Sequence, residues 1–518
     1  MKQDFEPYIE SSQAEAIQSQ PNPAYYVIGG LIGLFVMIVI AVSFSQVRHW
    51  SFVPISVCCI FLSPMVFVWL IGKRNSFDPL CLSTLVLTHL LVVTPLIHLI
   101  VGDYGELLPL EGDRNSLMGK VMIICVAGLF CFFAGYSLSL GKRFADSIFS
   151  RPAVPSVGRL DFCVVLMLVF AFLAYAYALI VYSGAVRGDF ETRYSFTQGK
   201  ALLFLLVDMI PSAILFWVLS KIIKIKSVSA NMNVLLRGAI ISRFFIALLI
   251  IIAFVGLRGS RSLIMIHILW AVGIYHFLVK RVRASTMVIS FLLLLWPLHV
   301  YSLYKSFGTQ GLYAAFNPAE RERLEKRAGR SMLGTIVGDL GRMNVWMFVK
   351  QEIDAGNYPL RWGKTYVAAV VTVIPHKIWP SRPNGMNEVI TDMRAGRGAY
   401  AGMSEKTTMI AGLVGEAYAN FKWHGVLFAF FSWGIVIKFM KSLVDRWEND
   451  PMLVFLLPVL IYMSVSIVSG DTMTLVFSLV KFLGPSFIVV WFSRIKVNLP
   501  DYNFDYQANE FSSQQEND

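Results

Sequence analysis

The chain of 518 residues is 56% hydrophobic and only 15% charged, with a formal net charge of +12. A soluble protein of this length carries roughly a quarter charged residues, so most of this chain has no water to face. The composition excludes a string of soluble domains, and without a basic soluble domain nucleic acid is not expected as a partner. The six cysteines all fall inside apolar runs, which predicts buried thiols rather than disulfides or a metal site.

Apolar runs long enough to cross a bilayer recur along the chain. A spanning helix needs about twenty mainly apolar residues, and about twelve runs meet that length. They lie near 25–47, 52–72, 79–101, 118–140, 160–182, 200–223, 239–257, 263–279, 286–304, 424–443, 451–470 and 473–493. The sequence therefore predicts an all-α polytopic membrane protein flanked by polar tails at 1–24 and 494–518.

Charge in the short connections predicts the orientation. With the N-terminus inside, the inward connections carry Lys or Arg, such as Lys73, Arg74 and Lys280, whereas the outward ones are short or acidic. This positive-inside pattern predicts an inner-membrane protein with both termini in the cytoplasm. Residues 25–304 then hold the first group of helices, 305–423 an outward periplasmic loop with a membrane-edge helix, and 424–493 the remaining helices.

Two outward segments carry more positive charge than the orientation requires. Arg258 and Arg261 lie at the tip of a short predicted hairpin, and Lys and Arg outnumber Asp and Glu between 305 and 407. Long loops escape the orientation rule, so this excess needs another cause. A concave surface for an anionic ligand is one cause, and attraction to anionic lipid headgroups is the other.

The long outward loop is predicted to be helical. Residues 318–330 have the composition of a charged surface helix, and apolar residues recur at helical spacing over 331–353. The apolar run Tyr366–Ile374 is too short to span and is expected to lie at the membrane interface. Within the spans, Asp208 and Lys481 are predicted to pair.

The strongest local pattern is Val-Ile-Pro-His-Lys-Ile-Trp-Pro-Ser-Arg-Pro at 373–383. Its prolines impose an extended backbone from which His376, Lys377, Trp379 and Arg382 project. A rigid backbone with projecting donors is how a loop preorganises a site. The alternative is that proline and tryptophan pack this loop onto the membrane.

Two further patterns carry polar side chains at the outward edge. Glu416 and Asn420 are four residues apart in a small-residue helix that enters a late span, so they share one helix face. A carboxylate at the membrane edge is costly unless it is functional or paired with a loop cation. The Arg258-Gly-Ser-Arg261 tip is able to present guanidinium groups to a diphosphate, although interfacial snorkelling also explains it.

In this order, the Gly-Leu-Arg258-Gly-Ser-Arg261 tip, the Trp-Pro-Ser-Arg-Pro run and Gly-Glu416-Ala-Tyr-Ala-Asn resemble the Wzy-type polymerases of O-antigen and oligosaccharide repeat units. The topology resembles that family over nearly the whole chain, while the motifs cover 256–262 and 373–425. The resemblance implies a GT-C-like fold and transfer of a growing glycan from undecaprenyl diphosphate onto the next lipid-linked repeat at the periplasmic face. No cofactor or metal is expected, because the sequence has no HExxH, P-loop, CxxC pair or clustered acidic motif.

Under that resemblance, each class of candidate residue has an expected role. Departure of a lipid diphosphate builds negative charge, which preorganised cations would stabilise. The candidate contacts to diphosphate or glycan are Arg258, Arg261, Arg342, Lys377, Trp379, Arg382 and Asn420. Glu416 and His376 compete as the general base that deprotonates the acceptor hydroxyl. Expected partners are the lipid-linked oligosaccharides, with a chain-length regulator and a flippase in the same membrane.

Other classes share parts of this pattern. An O-antigen ligase would use the same donor and transfer to lipid A–core, and the loop sequence does not separate ligase from polymerase. A lipid-linked oligosaccharide flippase or other transporter is expected to show internal repeats and short outer loops. The sequence has no internal repeat and one long outward loop. A non-enzymatic chain-length regulator would need few spans.

Overall fold

The computed structural model describes residues 21–102, 108–148, 153–181, 201–228, 234–256, 261–328, 331–372, 374, 378–396, 398–402 and 409–496. The first helices in chain order are α1 (Pro23–Ser43), α2 (Phe52–Leu70), α3 (Pro79–Val101, with a π-helical turn at His89–Val93), α4 (Arg114–Ser137), α5 (Leu140–Asp146), α6 (Val157–Val181), α7 (Ala201–Val207), α8 (Met209–Val228), α9 (Val234–Gly256), α10 (Arg261–Leu278) and α11 (Ala284–Phe307). A 3₁₀ turn, Ser45–Arg48, follows α1.

The remaining helices belong to the long loop after α11 and to the last spans. They are α12 (Thr309–Tyr313), α13 (Pro318–Ala328), α14 (Met332–Gly334, continued by a π-helical turn at Thr335–Asp339), α15 (Met343–Asp354), α16 (Lys364–Val371), α17 (Met386–Ala395), α18 (Ala399–Gly402), α19 (Gly412–Trp447), α20 (Pro451–Val454), α21 (Leu457–Ser466) and α22 (Thr472–Ser493). Strand β1 (Ala153–Pro155) pairs antiparallel with β2 (Arg494–Lys496), with Val154 opposite Ile495.

Within the described residues, nine helical segments are long and apolar enough to cross a membrane, which confirms an all-α polytopic membrane protein. Three shorter apolar helices, Gly238–Ile252, Leu263–Leu278 and Pro451–Ser466, lie where further spans were predicted. The predicted tail at 494–518 differs at its start, since its first residues form β2. Residues 497–518 and most of the N-terminal tail lie outside the described residues.

Several spans begin at the same local signal, an Asx residue followed by proline. The side chain of Asp78 accepts from the amides of Leu80 and Cys81, and Pro79 occupies the first helical position, where no amide donor is needed. Asn22 before Pro23 and Asp450 before Pro451 repeat this arrangement for α1 and α20. These caps fix where the chain turns between helices.

Close contact between α4 and α19 depends on glycine. A Cβ atom at Gly135 would lie 2.1 Å from the carbonyl oxygen of Phe431, and one at Gly434 would lie 2.1 Å from that of Phe132. Such approach is impossible for a larger residue, as in other membrane helix pairs with small residues at the contact. α19 is therefore held firmly in the bundle, and with it the residues that precede the span.

The long loop between α11 and α19 is part of a hydrophobic core rather than an appendage. Trp346 of α15 and Ile390 of α17 are buried in the same cluster as Leu91 of α3, Met122 of α4 and Phe430 of α19. A second cluster joins helices α6, α8, α9, α10 and α20 to α22. The loop helices are thus packed against the end of the bundle.

The segments that connect the helices make polar contacts with one another in two groups, one at each end of the bundle. At one, the basic end, Arg281 pairs with Glu448 at 3.0 Å and Arg494 with Asp450 at 2.8 Å. At the other, the loop end, Arg342 donates to the carbonyl of Ser469 at 3.0 Å. Residues Asp450 and Ser469 flank the short helix Pro451–Ser466, so this helix joins one end to the other.

Candidate functional site at the loop end

The loop end is organised by α15, which lies against α19. One face of α15 is buried, and the indole nitrogen of Trp346 donates to the carbonyl oxygen of Ala411 at 2.7 Å, just before α19 begins. The sequence predicted one helix over 331–353, but the chain turns between Asp339 and Met343. At Gly341 a Cβ atom would lie 2.0 Å from the Val337 carbonyl oxygen, so a turn this tight requires glycine.

Glu416 and Asn420 share a helix face, as their spacing predicts, and both side chains are buried. Oε2 of Glu416 accepts from the backbone amide and the hydroxyl of Thr472, each at 2.9 Å. The Asn420 amide donates at 2.8 Å to the hydroxyl of Thr365, and Oε1 of Glu416 is buried with no hydrogen-bond partner among the described residues. Asn420 also accepts from the amide of Gly363 at 2.8 Å. This network ties α16, α19 and α22 together.

No Lys or Arg in the described part of the chain lies within ion-pair distance of Glu416. Its partners are the hydroxyl and the amide of Thr472, the first residue of α22, where the unsatisfied N–H groups favour a negative charge. Within the described residues, the alternative of a pairing with a loop cation is therefore not found, and a helix N-terminus takes that place. Since Glu416 is only 2% exposed, direct contact with an acceptor hydroxyl requires this network to open.

Arg342 is bonded to main-chain carbonyls. Its Nε donates to Ser469, and its Nη1 donates to Gly341 at 2.7 Å and to Asp339. Burial lowers the pKa of Arg342 to about 10, against the opposing influence of Asp339 and Asp471, so the guanidinium stays charged at neutral pH. Arg342 thereby fastens the turn after α14 to the α21–α22 connection.

The α21–α22 connection brings these two predicted residues together. Ser469 accepts from Arg342, and Thr472 donates to Glu416. Asp471, which caps α22 through the amide of Thr474 at 2.9 Å, interacts electrostatically with both Arg342 and Glu416. Sequence reasoning assigned no role to this connection, and only the cap signal of Asp471 before an apolar run was available to draw attention to it.

The proline-rich segment closes on itself where it is described. Nη1 of Arg382 donates to the carbonyl oxygens of Thr372 at 3.1 Å and Ile374 at 2.8 Å, next to the end of α16. Trp379 is 38% exposed, and its indole nitrogen donates to the hydroxyl of Ser381 at 3.2 Å. His376 and Lys377 lie outside the described residues.

The arginines of the α9–α10 tip are not described beyond one backbone position. Arg258 lies outside the described residues, and Arg261 is known only as the first residue of α10. Nearby within the bundle, the predicted ion pair between Asp208 and Lys481 is confirmed, with side chains 10% and 12% exposed. Buried His267 of α10 contacts the ring of Phe482, the residue after Lys481.

A strained turn lies beside the Glu416 network. α19 kinks at Phe421 and Lys422, and Lys422 has φ 54° and ψ −148°. Trp362, in the segment that lies against this kink, has φ 48°. Non-glycine residues in such regions cost about 1–3 kcal/mol each and persist only when the surroundings impose them. Here the amide of Arg361 donates to the carbonyl of Ala419 at 3.0 Å and holds the two segments together.

The site thus combines a buried carboxylate, a buried guanidinium and an exposed loop segment around one helix start. Among the described residues, no group of three or more His, Cys, Asp or Glu side chains is arranged to hold a metal ion. In comparisons with protein-family models, curated proteins and solved structures, none matches this chain.

Proposed function

We propose that the chain is a polysaccharide polymerase of the bacterial inner membrane. It would transfer a growing glycan from undecaprenyl diphosphate onto the next lipid-linked repeat at the periplasmic face. The observation that carries the proposal is the folded loop packed on one end of a helical bundle, where Arg342 and Glu416 contact the same interhelical connection. Of the sequence motifs that suggested this class, the one around Glu416 and Asn420 contributes directly to this network.

We further propose about twelve spans in a GT-C-like arrangement. In support, contacts between connections fall into two groups, and Pro451–Ser466 joins residues of opposite groups although it is short. Exposed cations such as Lys73, Lys142 and Lys280 lie at the basic end. The positive-inside rule then assigns that end to the cytoplasm, together with both tails, and assigns the loop end to the periplasm.

The proposed chemistry follows from the compartment. The periplasm holds no sugar nucleotides, so the donor must arrive already activated, and a lipid diphosphate reaches the site through the bilayer. The acceptor hydroxyl oxygen attacks the anomeric carbon, the bond from that carbon to the diphosphate oxygen breaks, and undecaprenyl diphosphate leaves. The hydroxyl proton passes to a general base, for which Glu416 and His376 remain the two candidates.

Cations would stabilise the charge that develops on the leaving diphosphate. Arg258, Arg261 and Lys377 are proposed to face it. Arg382 and Arg342 are bonded to main-chain carbonyls, which supports a role in shaping the loop. Trp379, which is at the surface, is proposed to contact the glycan directly. Asn420 is buried and is proposed to act indirectly, by holding the backbone at Gly363 beside the glycan.

One observation favours a different class. The Asp208–Lys481 pair within the bundle, near buried His267, is of the kind found along ion or proton pathways in transporters. A lipid-linked oligosaccharide flippase is therefore the second candidate function. A ligase shares the donor chemistry and differs in its acceptor, lipid A–core.

The deciding experiment supplies purified protein in detergent with a lipid-linked repeat and no gradient. A polymerase yields a ladder of longer lipid-linked glycans, whereas a flippase or a ligase without lipid A–core does not. In cells, loss of a polymerase gives one-repeat chains, and loss of a ligase leaves polymer on the carrier.

The tip arginines provide the residue-level test. Arg258 and Arg261 are each changed to Ala and to Lys in a polymerase-null strain, with Arg143→Ala, an exposed cation at the basic end, as the matched control. We expect short chains from both Ala variants and normal chains from the control. Long chains at normal protein levels in both Ala variants would refute the assignment of the diphosphate site.

A further inference from the structure

Two aromatic side chains from different segments meet at the surface of the loop end. Trp362 is 69% exposed and Phe421 is 38% exposed. Their ring centroids lie 6.1 Å apart with an interplanar angle of 72°, an edge-to-face arrangement. Most of the Trp362 side chain is exposed, although burial would stabilise an apolar side chain of this size.

The backbone fixes where these rings lie. Trp362 and Lys422 both have positive φ, and hydrogen bonds from Arg361 to Ala419 and from Gly363 to Asn420 hold the segments in place. Gly363, the residue after Trp362, has φ 81°, a conformation that side-chain-bearing residues rarely adopt, so glycine suits this turn. A ring held by strained backbone is suited to an ordered ligand.

Polar groups surround this aromatic pair. Lys364 is exposed, and the Nε of Arg361 is buried with no hydrogen-bond partner within the part of the chain that the structure describes. Asp354 accepts from the hydroxyl of Tyr418 at 2.8 Å and lies 3.8 Å from the Nζ of Lys422. A sugar ring offers an apolar C–H face for an aromatic ring and hydroxyls for charged donors and acceptors around it. A hydrocarbon chain offers apolar C–H groups but no hydroxyls.

The aromatic pair is coupled to the proposed base through one side chain. Asn420 accepts from the amide of Gly363, next to Trp362, and donates to the carbonyl of Glu416. We propose that Trp362 and Phe421 form a platform on which a sugar ring of the lipid-linked glycan stacks beside Glu416. The inference rests on the proposed function and adds a substrate-binding subsite to it.

The kinetic test compares two exposed tryptophans of the loop end. Trp362→Leu keeps an apolar side chain and loses the ring, and Trp362→Phe keeps a ring. Trp423→Leu is the matched control, because Trp423 is 47% exposed, sits in regular helix and stacks on His424. For Trp362→Leu we expect the KM for the lipid-linked repeat to rise roughly three- to tenfold, with kcat changed less than about twofold. Trp362→Phe and Trp423→Leu should stay near wild type.

Two outcomes of that assay overturn the platform. One is a wild-type KM in Trp362→Leu. The other is an equal rise in Trp362→Leu and Trp423→Leu, which would identify both indoles as interfacial membrane anchors.

A binding measurement separates this inference from the polymerase proposal. The probe is the soluble repeat oligosaccharide, released by mild acid from the native strain's surface polysaccharide and observed by saturation-transfer NMR with protein in detergent. An NMR saturation-transfer signal on the oligosaccharide that disappears in Trp362→Leu and persists in Trp423→Leu supports the platform. This holds even if no variant polymerises and the proposed function fails. The platform is overturned if the wild type gives no saturation-transfer signal, or if both variants give equal signals. Size-exclusion profiles of all variants establish that each is folded.

Discussion

The carboxylate of Glu416 and the first residue of α22, Thr472, form two hydrogen bonds of 2.9 Å, one from the Thr472 amide and one from its hydroxyl. Because the first amides of a helix have no partner within it, this contact stabilises the start of α22 and ties it to α19. A buried carboxylate so placed serves either as a structural tie or as a general base that the site exposes during reaction. The two roles predict different results.

Glu416→Gln separates these roles. An amide oxygen still accepts from Thr472, so we expect loss of only about 1–2 kcal/mol in the free energy of unfolding in detergent. A general base that takes the proton of the acceptor hydroxyl raises the reaction rate by about a hundredfold or more. If Glu416 is that base, the polymerisation rate should fall by this factor. Thr472→Val is the control, since it removes the hydroxyl bond and leaves the carboxylate. Normal glycan ladders from Glu416→Gln would leave His376 as the candidate base.

The sequence predicted this site in part. Spacing alone puts Glu416 and Asn420 on one face, and the structure shows Asn420 bonded to Thr365 and Glu416 bonded to Thr472. Their partners come from segments distant in sequence that carry no local signal, so Thr365 and Thr472 were not foreseen. The kink at Phe421 and Lys422 was also not predicted, because neither residue type breaks a helix and the strain is imposed by tertiary contacts.

Arg342 shows the same limit. A loop arginine in an outward basic segment suggests a ligand for an anion, but which carbonyls a turn leaves without partners depends on how the chain folds. The π-helical end at Asp339 and the connection at Ser469 present such carbonyls to the guanidinium. By contrast, the long spans were predicted well, since hydropathy over about twenty residues needs no tertiary information.

Arg342→Lys is expected to loosen the loop. Lysine carries a point charge and cannot donate in the plane of several carbonyls as a guanidinium does. We expect the free energy of unfolding in detergent to fall by about 1–3 kcal/mol and proteolysis near residues 338–341 to become faster. Arg394→Lys is the control, because Arg394 is exposed. Lost polymerisation with unchanged stability and proteolysis would mean that Arg342 contacts the substrate itself.

The Asp208–Lys481 pair is open to a double-mutant cycle. Both side chains are nearly buried, so Asp208→Asn or Lys481→Met alone leaves an uncompensated charge and should cost about 3–5 kcal/mol in unfolding free energy. Removing both charges should cost less than the sum of the single changes. Thermal unfolding of the purified variants in detergent measures the coupling. Additive costs would show that the pair does not contribute as a pair.

Orientation is tested at two exposed lysines. Lys142 lies at the basic end, and Lys326 of α13 has a side chain 77% exposed within the long loop at the other end. Native cysteines lie buried or half-buried in helices, so wild type should label weakly with an impermeant maleimide. We expect Lys326→Cys to be labelled in intact spheroplasts and Lys142→Cys only after lysis, by the positive-inside rule. The reverse pattern would expose the loop to cytoplasmic sugar nucleotides, and a lipid-diphosphate donor would no longer be required.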